Sequence, residues 1–110
     1  MKHILDGSVV VDFSQVVAGP ACTRLMAELG AEVIKVELAP AGDPSRLLPS
    51  VRDGHSAYFI QHNQGKKGIC VDPRQPAGLA LLKDLIAKAD ILIENFSPGA
   101  IGRLVLGWDV

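Results

Sequence analysis

The chain has 110 residues, with eleven Lys and Arg against twelve Asp and Glu and a formal net charge of -1. That length fits one domain hiding roughly two thirds of its unfolded surface, and its scattered basic residues form no stripe of the kind nucleic-acid binding needs. No apolar run reaches the roughly 20 residues that cross a bilayer, and no signal-peptide core follows the amino terminus. A cytoplasmic protein without a membrane or nucleic-acid partner is therefore expected.

Val9 to Phe13 is a β-branched run that predicts a first strand. A small-residue loop follows, and Pro20, with fixed φ and no amide hydrogen, suits the first position of a helix. Cys22, Leu25, Met26 and Leu29 recur at the spacing of one buried helix face, and Gly30 supplies a left-handed stop. Val33, Ile34 and Val36 begin a second strand. Leu38 to Gly54, rich in Pro, Gly, Ser and Asp, reads as one long loop without secondary structure, a length that points to a binding loop, lid or subunit contact. Ala57 to His62 reads as a helical turn, and the polar turn Asn63 to Gly68 leads into a strand at Ile69 to Val71. Pro76 opens a helix with Leu79, Leu82, Ile86 and Ala89 on its buried stripe, broadened by Leu81 and Leu85. Lys83, Asp84 and Lys88 occupy its wet side. Asp90 ends it, Ile91 to Ile93 is a buried strand, and Ser97 as N-cap with Pro98 at N1 starts a last short helix. Cys22 and Cys70 fit no metal or redox spacing and read as buried thiols. His3, His55 and His62 have no recognisable catalytic partner and read as surface or loop groups.

Strands separated by helices imply an α/β fold with a parallel sheet, flanking helices and right-handed crossovers. The segments that follow the strands then gather at one edge: Ser14 to Gly19, Glu37 and its loop, Asp72 to Arg74, and Asn95-Phe96. Helix-start amides and an arginine there suit phosphate, and Phe96 suits an apolar or stacking contact, as a phosphorylated nucleotide requires. The first turn reads Ala18-Gly19-Pro20-Ala21-Cys22-Thr23 and lacks G-x-G-x-x-G. The close approach to a pyrophosphate that the second glycine of that motif permits is missing, which counts against a nicotinamide or flavin dinucleotide. A P-loop pattern is absent too.

The residues carry a resemblance along nearly the whole chain. Its pieces are Val11-Asp12-Phe13-Ser14 with Ala18-Gly19-Pro20; Leu29 to Glu37 with Gly42-Asp43; Tyr58-Phe59, Asn63 and Gly65-Lys66-Lys67; Val71-Asp72, Pro76, Gly78 and Leu82; Ala89 to Phe96; Pro98-Gly99; and Leu106-Gly107. Together they resemble the amino-terminal part of the family III CoA-transferases, a group that includes formyl-CoA and carnitine CoA-transferases and is related to alpha-methylacyl-CoA racemase. The resemblance implies a Rossmann-like domain that binds coenzyme A and a dimer of interlocked chains. It places CoA contacts on Gln15, Val16, Ala18, Val71, Arg74, Asn95, Phe96, Arg103 and Leu104. Arg74 and Arg103 suit the phosphates of CoA, and solvated surface arginines are the competing reading. Leu38 departs from the arginine common after the strand-ending Glu37, and Val17 from a polar residue in some members.

Transferases of this family use an aspartate that attacks the acyl-CoA thioester, and by resemblance it lies beyond Val110. No catalytic residue and no metal ligand is therefore assigned within residues 1–110, and Glu37, Asp43 and Asp72 read as loop and cap groups. The expected function is the CoA-binding part of a CoA-transferase, inactive by itself. The competing class is a stand-alone CoA-binding or oligomerisation module. Asn95 before Phe96 leans toward transferase over racemase. With 48% apolar residues, a piece of a fold whose relatives, by the resemblance, interlock is expected to expose surface that the rest of the longer protein covers, especially around Ile101, Leu104, Val105, Leu106 and Trp108, and so to self-associate.

Overall fold

A computed structural model describes residues 2–109; Met1 and Val110, the ends of the expected domain, lie outside the described residues. In chain order the elements are β1 (Val9–Asp12), α1 (Ala18–Glu28), β2 (Glu32–Leu38), a 3-10 helix (Pro44–Leu47), β3 (Val51–Arg52), β4 (His55–Ser56), α2 (Ala57–His62), β5 (Lys67–Val71), α3 (Pro76–Ala87), β6 (Ile91–Ile93) and α4 (Ala100–Arg103). Four strands form one sheet in the order β5-β2-β1-β6, and every neighbouring pair is parallel. The expected α/β architecture is present, with the strand carboxyl ends along one edge.

The sheet is covered on both faces. Val11, Phe13, Val36 and Val71 pack with Leu82 of α3 and with Leu106 beyond α4. Val10, Ala31 and Val33 pack on the opposite face against Met26 and Ala27 of α1. The alternation of side chains along β1 and β2 produces this division. It also turns Asp12 and Lys35 toward the α1 side, where both are buried.

Several local expectations change. Helix α1 begins at Ala18, so Pro20 is its third residue; the first amides of a helix have no intrahelical acceptor, which leaves proline free to sit there. The helix also turns a different face to the sheet. Pro20 and Thr23 are buried, while Cys22, Leu25 and Leu29 are exposed. Thr23 faces inward because its hydroxyl donates to the buried carboxylate of Asp12 at 2.6 Å, a requirement that apolar spacing does not reveal. Cys70 is exposed as well, as expected on an edge strand that has a neighbour on one side only. The long loop loses its first residue, Leu38, to β2 and contains the 3-10 helix and β3, which pairs antiparallel with β4 just past its end. Helix α4 starts after Gly99, with neither Ser97 nor Pro98 capping it. At the carboxyl end Leu106 is buried, and Ile101 and Leu104 pack against the core, leaving Val105 and Trp108 exposed. Helix α3 matches its expected stripe at Leu79, Leu82, Leu85 and Ile86, but Leu81 points outward.

Candidate functional site

Strand β1 is the point where the sheet changes direction. The chain leaves it through α1 to β2 on one side, and returns through α3 to β6 on the other. Loops leaving β1 and β6 then separate, and the crevice between them is where open α/β sheets hold ligands. Two residues, Gln15 and Asn95, tie the two loops together. The Gln15 amide donates to Asn95 Oδ1 at 2.7 Å, and Asn95 Nδ2 donates to the Gln15 carbonyl at 2.9 Å. The next residue, Val16, has φ 65, a left-handed conformation that a β-branched side chain disfavours. Its amide donates to Asp43 Oδ1 at 3.1 Å. Gly19, the second residue of α1, lies so close to Ser14 that a Cβ would overlap the serine side chain.

Beneath this loop lies a buried ionic layer. Asp12 accepts from the Ser14 amide and hydroxyl, from Thr23, and from Lys66 Nζ at 2.9 Å. Lys66 Nζ also donates to Asn63 Oδ1 at 2.8 Å and the Pro20 carbonyl at 3.1 Å, which occupies all three ammonium hydrogens. Burial pushes the Lys66 ammonium below its ordinary pKa, with Asp12 opposing the shift. Lys35 Nζ lies 2.8 Å from Asp43 Oδ2 and donates to the Ser14 carbonyl at 2.9 Å. Burial raises the Asp43 pKa, but hydrogen bonds from Lys35 and the Ser45 amide outweigh it and hold the carboxyl below its ordinary value. Arg46 grips Glu37 with two bonds of 2.7 Å and covers the Phe59 ring at 3.7 Å. The Arg46 bond is the largest influence lowering the Glu37 pKa.

Residues 5–110 match CoA-transferase family III. This chain belongs to that family. It is 41% identical over 110 residues to a formyl-CoA:oxalate CoA-transferase of Bradyrhizobium sp. (strain ORS 278), an alignment covering 99% of this chain and 26% of the relative. A second enzyme of that description, from Rhodopseudomonas palustris (strain HaA2), is 42% identical with the same coverage. Among solved structures, a CAIB/BAIF family protein from Brucella suis superposes with a TM-score of 0.89 at 37% identity, covering 99% of this chain and 30% of the other. A hypothetical protein from Mycobacterium tuberculosis gives 0.86 at 41% identity, covering 97% and 29%. The chain thus spans about a quarter of the length of these curated relatives, 26% in each case.

Within this family III chain the expected contact residues fall into two groups. Gln15, Val16, Ala18 and Asn95 surround the β1/β6 crevice, and Phe96, Arg103 and Leu104 follow β6 on the same side. Phe96 and Leu104 pack partly on the core, while Arg103 is exposed. Val71 and Arg74 end β5 at the far edge, three strand spacings or about 14 Å from β6. Val71 is buried and its carbonyl accepts from Ala39 at 3.0 Å. Exposed Arg74 is bound to Asp72 by bonds of 2.8 and 3.0 Å, which lower the Asp72 pKa and raise that of Arg74. Asp43 caps the 3-10 helix through the Ser45 amide, as a cap group should. The ionic layer of Asp12, Lys35, Asp43 and Lys66 has no motif or periodicity in the sequence. Its one visible signal is Lys35, a charge set between Ile34 and Val36 in a strand expected to be buried. Among the described residues no group of His, Cys, Asp and Glu is placed to hold a metal ion, and no helix is long and apolar enough to cross a membrane.

Proposed function

We propose that this chain is the CoA-binding part of a family III CoA-transferase that moves CoA from an acyl-CoA thioester to an acceptor carboxylate. The observation that carries the reading is the Gln15–Asn95 ring at the β1/β6 crevice, in a chain whose family is CoA-transferase family III. Gln15, Val16 and Ala18 from one loop, with Asn95 and Phe96 from the other, would contact CoA there. Arg103 and, across the sheet edge, Arg74 would neutralise phosphate groups through charge-assisted bonds. Arg74 must then share or release Asp72, so its contribution depends on exchanging one anion for another.

In the chemistry proposed for the longer enzyme, an aspartate beyond Val110 attacks the thioester carbonyl and expels CoA as a thiolate, forming a mixed anhydride. The thiolate attacks the enzyme-side carbonyl, releasing the donor acid and leaving an enzyme CoA thioester. The acceptor carboxylate attacks that thioester and the returning thiolate takes the acceptor acyl group, which regenerates the aspartate. Formyl-CoA and oxalate, the pair named for the relatives, are the first donor and acceptor to try with that enzyme. A dimer of interlocked chains belongs to the same proposal.

Calorimetric titration of this chain with CoA, 3′-dephospho-CoA and NAD tests the binding reading. CoA should bind more tightly than NAD, and loss of the 3′-phosphate should weaken binding. Arg74→Ala and Arg103→Ala should each reduce that sensitivity. NAD binding as tight as CoA sinks the reading, and equal affinity for CoA and its dephosphorylated form rejects the two arginines. With a panel of acyl-CoA donors and hydroxylamine trapping, this chain should stay unmodified; a stoichiometric adduct on one of its acids would place the nucleophile here instead.

A further inference from the structure

We propose that Asp43, from the loop after β2, is a positioning residue that holds Val16 in the conformation the CoA crevice uses. The inference rests on the CoA-binding reading above for its ligand, though not for its geometry. Asp43 is 1% exposed and fixed from both sides by β2. Its own amide donates to Glu37 Oε1 at 2.8 Å, and its Oδ2 faces Lys35 Nζ at 2.8 Å. The other oxygen, Oδ1, reaches across to the Val16 amide at 3.1 Å.

Val16 needs such a hold. At φ 65 its branched side chain is in a region that persists only where the surroundings over-determine it. Four residues restrain this stretch: Asp43 on the Val16 amide, Asn95 on both polar groups of Gln15, Lys35 on the Ser14 carbonyl, and Asp12 on the Ser14 amide and hydroxyl. Only the first acts on Val16 itself. Without an acceptor there, Val16 relaxes toward negative φ and loosens the bonds between Gln15 and Asn95. Asp43 is not among the expected contact residues, so it acts through the backbone of one that is, Val16.

Removing Asp43 alone would strand the buried Lys35 charge, so the decisive comparison uses two doubly substituted chains. Lys35→Met with Asp43→Asn removes both charges and keeps an acceptor for the Val16 amide; Lys35→Met with Asp43→Ala removes the acceptor too. Hydrogen exchange of the Val16 amide, measured by NMR without ligand, should be protected in the first and lost in the second, while amides of β2 stay protected in both. CoA titration should then show about tenfold weaker binding for the second than for the first, the scale of one hydrogen bond at the Val16 amide. The Ser45 amide, which shares Oδ1, is also released; Ser45→Pro added to the first chain, which removes that donor and keeps the acceptor, should leave Val16 exchange and CoA affinity as in the first chain. Equal Val16 exchange in the two chains overturns the proposal. So does unequal exchange with equal CoA affinity. If neither these chains nor the parent binds CoA, the CoA reading fails, and the exchange comparison alone still decides whether Asp43 holds Val16. Should the alanine chain fail to fold, Asp43→Ser with Lys35→Met replaces it, since serine is too short to span the same gap.

Discussion

Asp12 and Lys66 form an ion pair of 2.9 Å in which the side chains are 0% and 1% exposed, although they lie 54 positions apart in the chain. The pair joins the end of β1 to the turn before β5 and lies directly under the loop that carries Gln15 and Val16. A buried pair adds little over an apolar pair of the same shape, but breaking it by removing one member is costly. Lys66→Met should therefore destabilise the chain by about 3–5 kcal/mol. Adding Asp12→Asn should recover part of that loss. Urea denaturation of Lys66→Met, Asp12→Asn and the double variant checks this, and additive losses in the double variant would mean that the two groups do not act as a pair.

Gly19→Ala should also destabilise the chain, because the new methyl group would overlap Ser14, which is buried and bonded to Asp12. Overpacking of this kind costs about 1–3 kcal/mol. Gly102, within α4, has open space around the corresponding position. Gly102→Ala should be neutral or stabilising by up to about 1 kcal/mol through helix propensity. Thermal melts of both variants, compared at the same pH, distinguish close packing at Gly19 from a general intolerance of alanine.

Acid should weaken the fold through Glu37 and Asp43. Both carboxyls titrate below their ordinary values of 4.5 and 3.8 in the folded chain, so the unfolded chain takes up their protons first as pH falls. Their stabilisation is complete above the unfolded values and is lost as pH drops through the lowered folded ones. The melting temperature should hold steady near neutrality and fall below about pH 4.5. Glu37→Gln, which loses the charge that Arg46 grips, should flatten the upper part of that fall. An unchanged profile in the variant would remove Glu37 from the account.

Self-association should be visible by sedimentation at several concentrations. Trp108 is fully exposed, and Leu25, Leu29, Leu81 and Val105 are each about half exposed, at 50%, 46%, 53% and 46%. Isolated apolar residues are common on surfaces, but the Leu25–Leu29 pair shares one helix stripe and Trp108 borders a cavity of about 640 Å3 along edge strand β6. A dimer or larger species is expected, and Trp108→Asp or Leu25→Lys with Leu29→Lys should reduce it. A chain that remains monomeric at high concentration would favour the self-sufficient module over the dimer.

Much of the secondary structure was legible because local spacing encodes it. The β-branched run at Val9, the apolar stripe of Leu79, Leu82 and Ile86, and the short run Ile91 to Ile93 each announce an element. Strands β3 and β4 have two residues each, too short for any periodicity to register, and so the loop after Glu37 read as structureless. For α1 the helical period was right and the phase was not. Cys22, Leu25 and Leu29 offered the more apolar stripe, yet the demand of Asp12 for a hydroxyl donor turned Thr23 inward.

The sequence by itself determined the α/β class, the parallel order implied by alternating strands and helices, and the gathering of Gln15, Val16, Ala18 and Asn95 at strand carboxyl ends. These follow from short-range periodicity and the handedness of crossovers, which operate on neighbouring segments. Only the tertiary structure decided that Gln15 and Asn95 bond to each other, that Asp12 meets Lys66 and that Lys35 meets Asp43. Such pairs depend on the register of the sheet and on which helix face turns inward. A charged residue has no periodic signature for the partner it needs, and only the assembled sheet brings that partner within a hydrogen bond's reach.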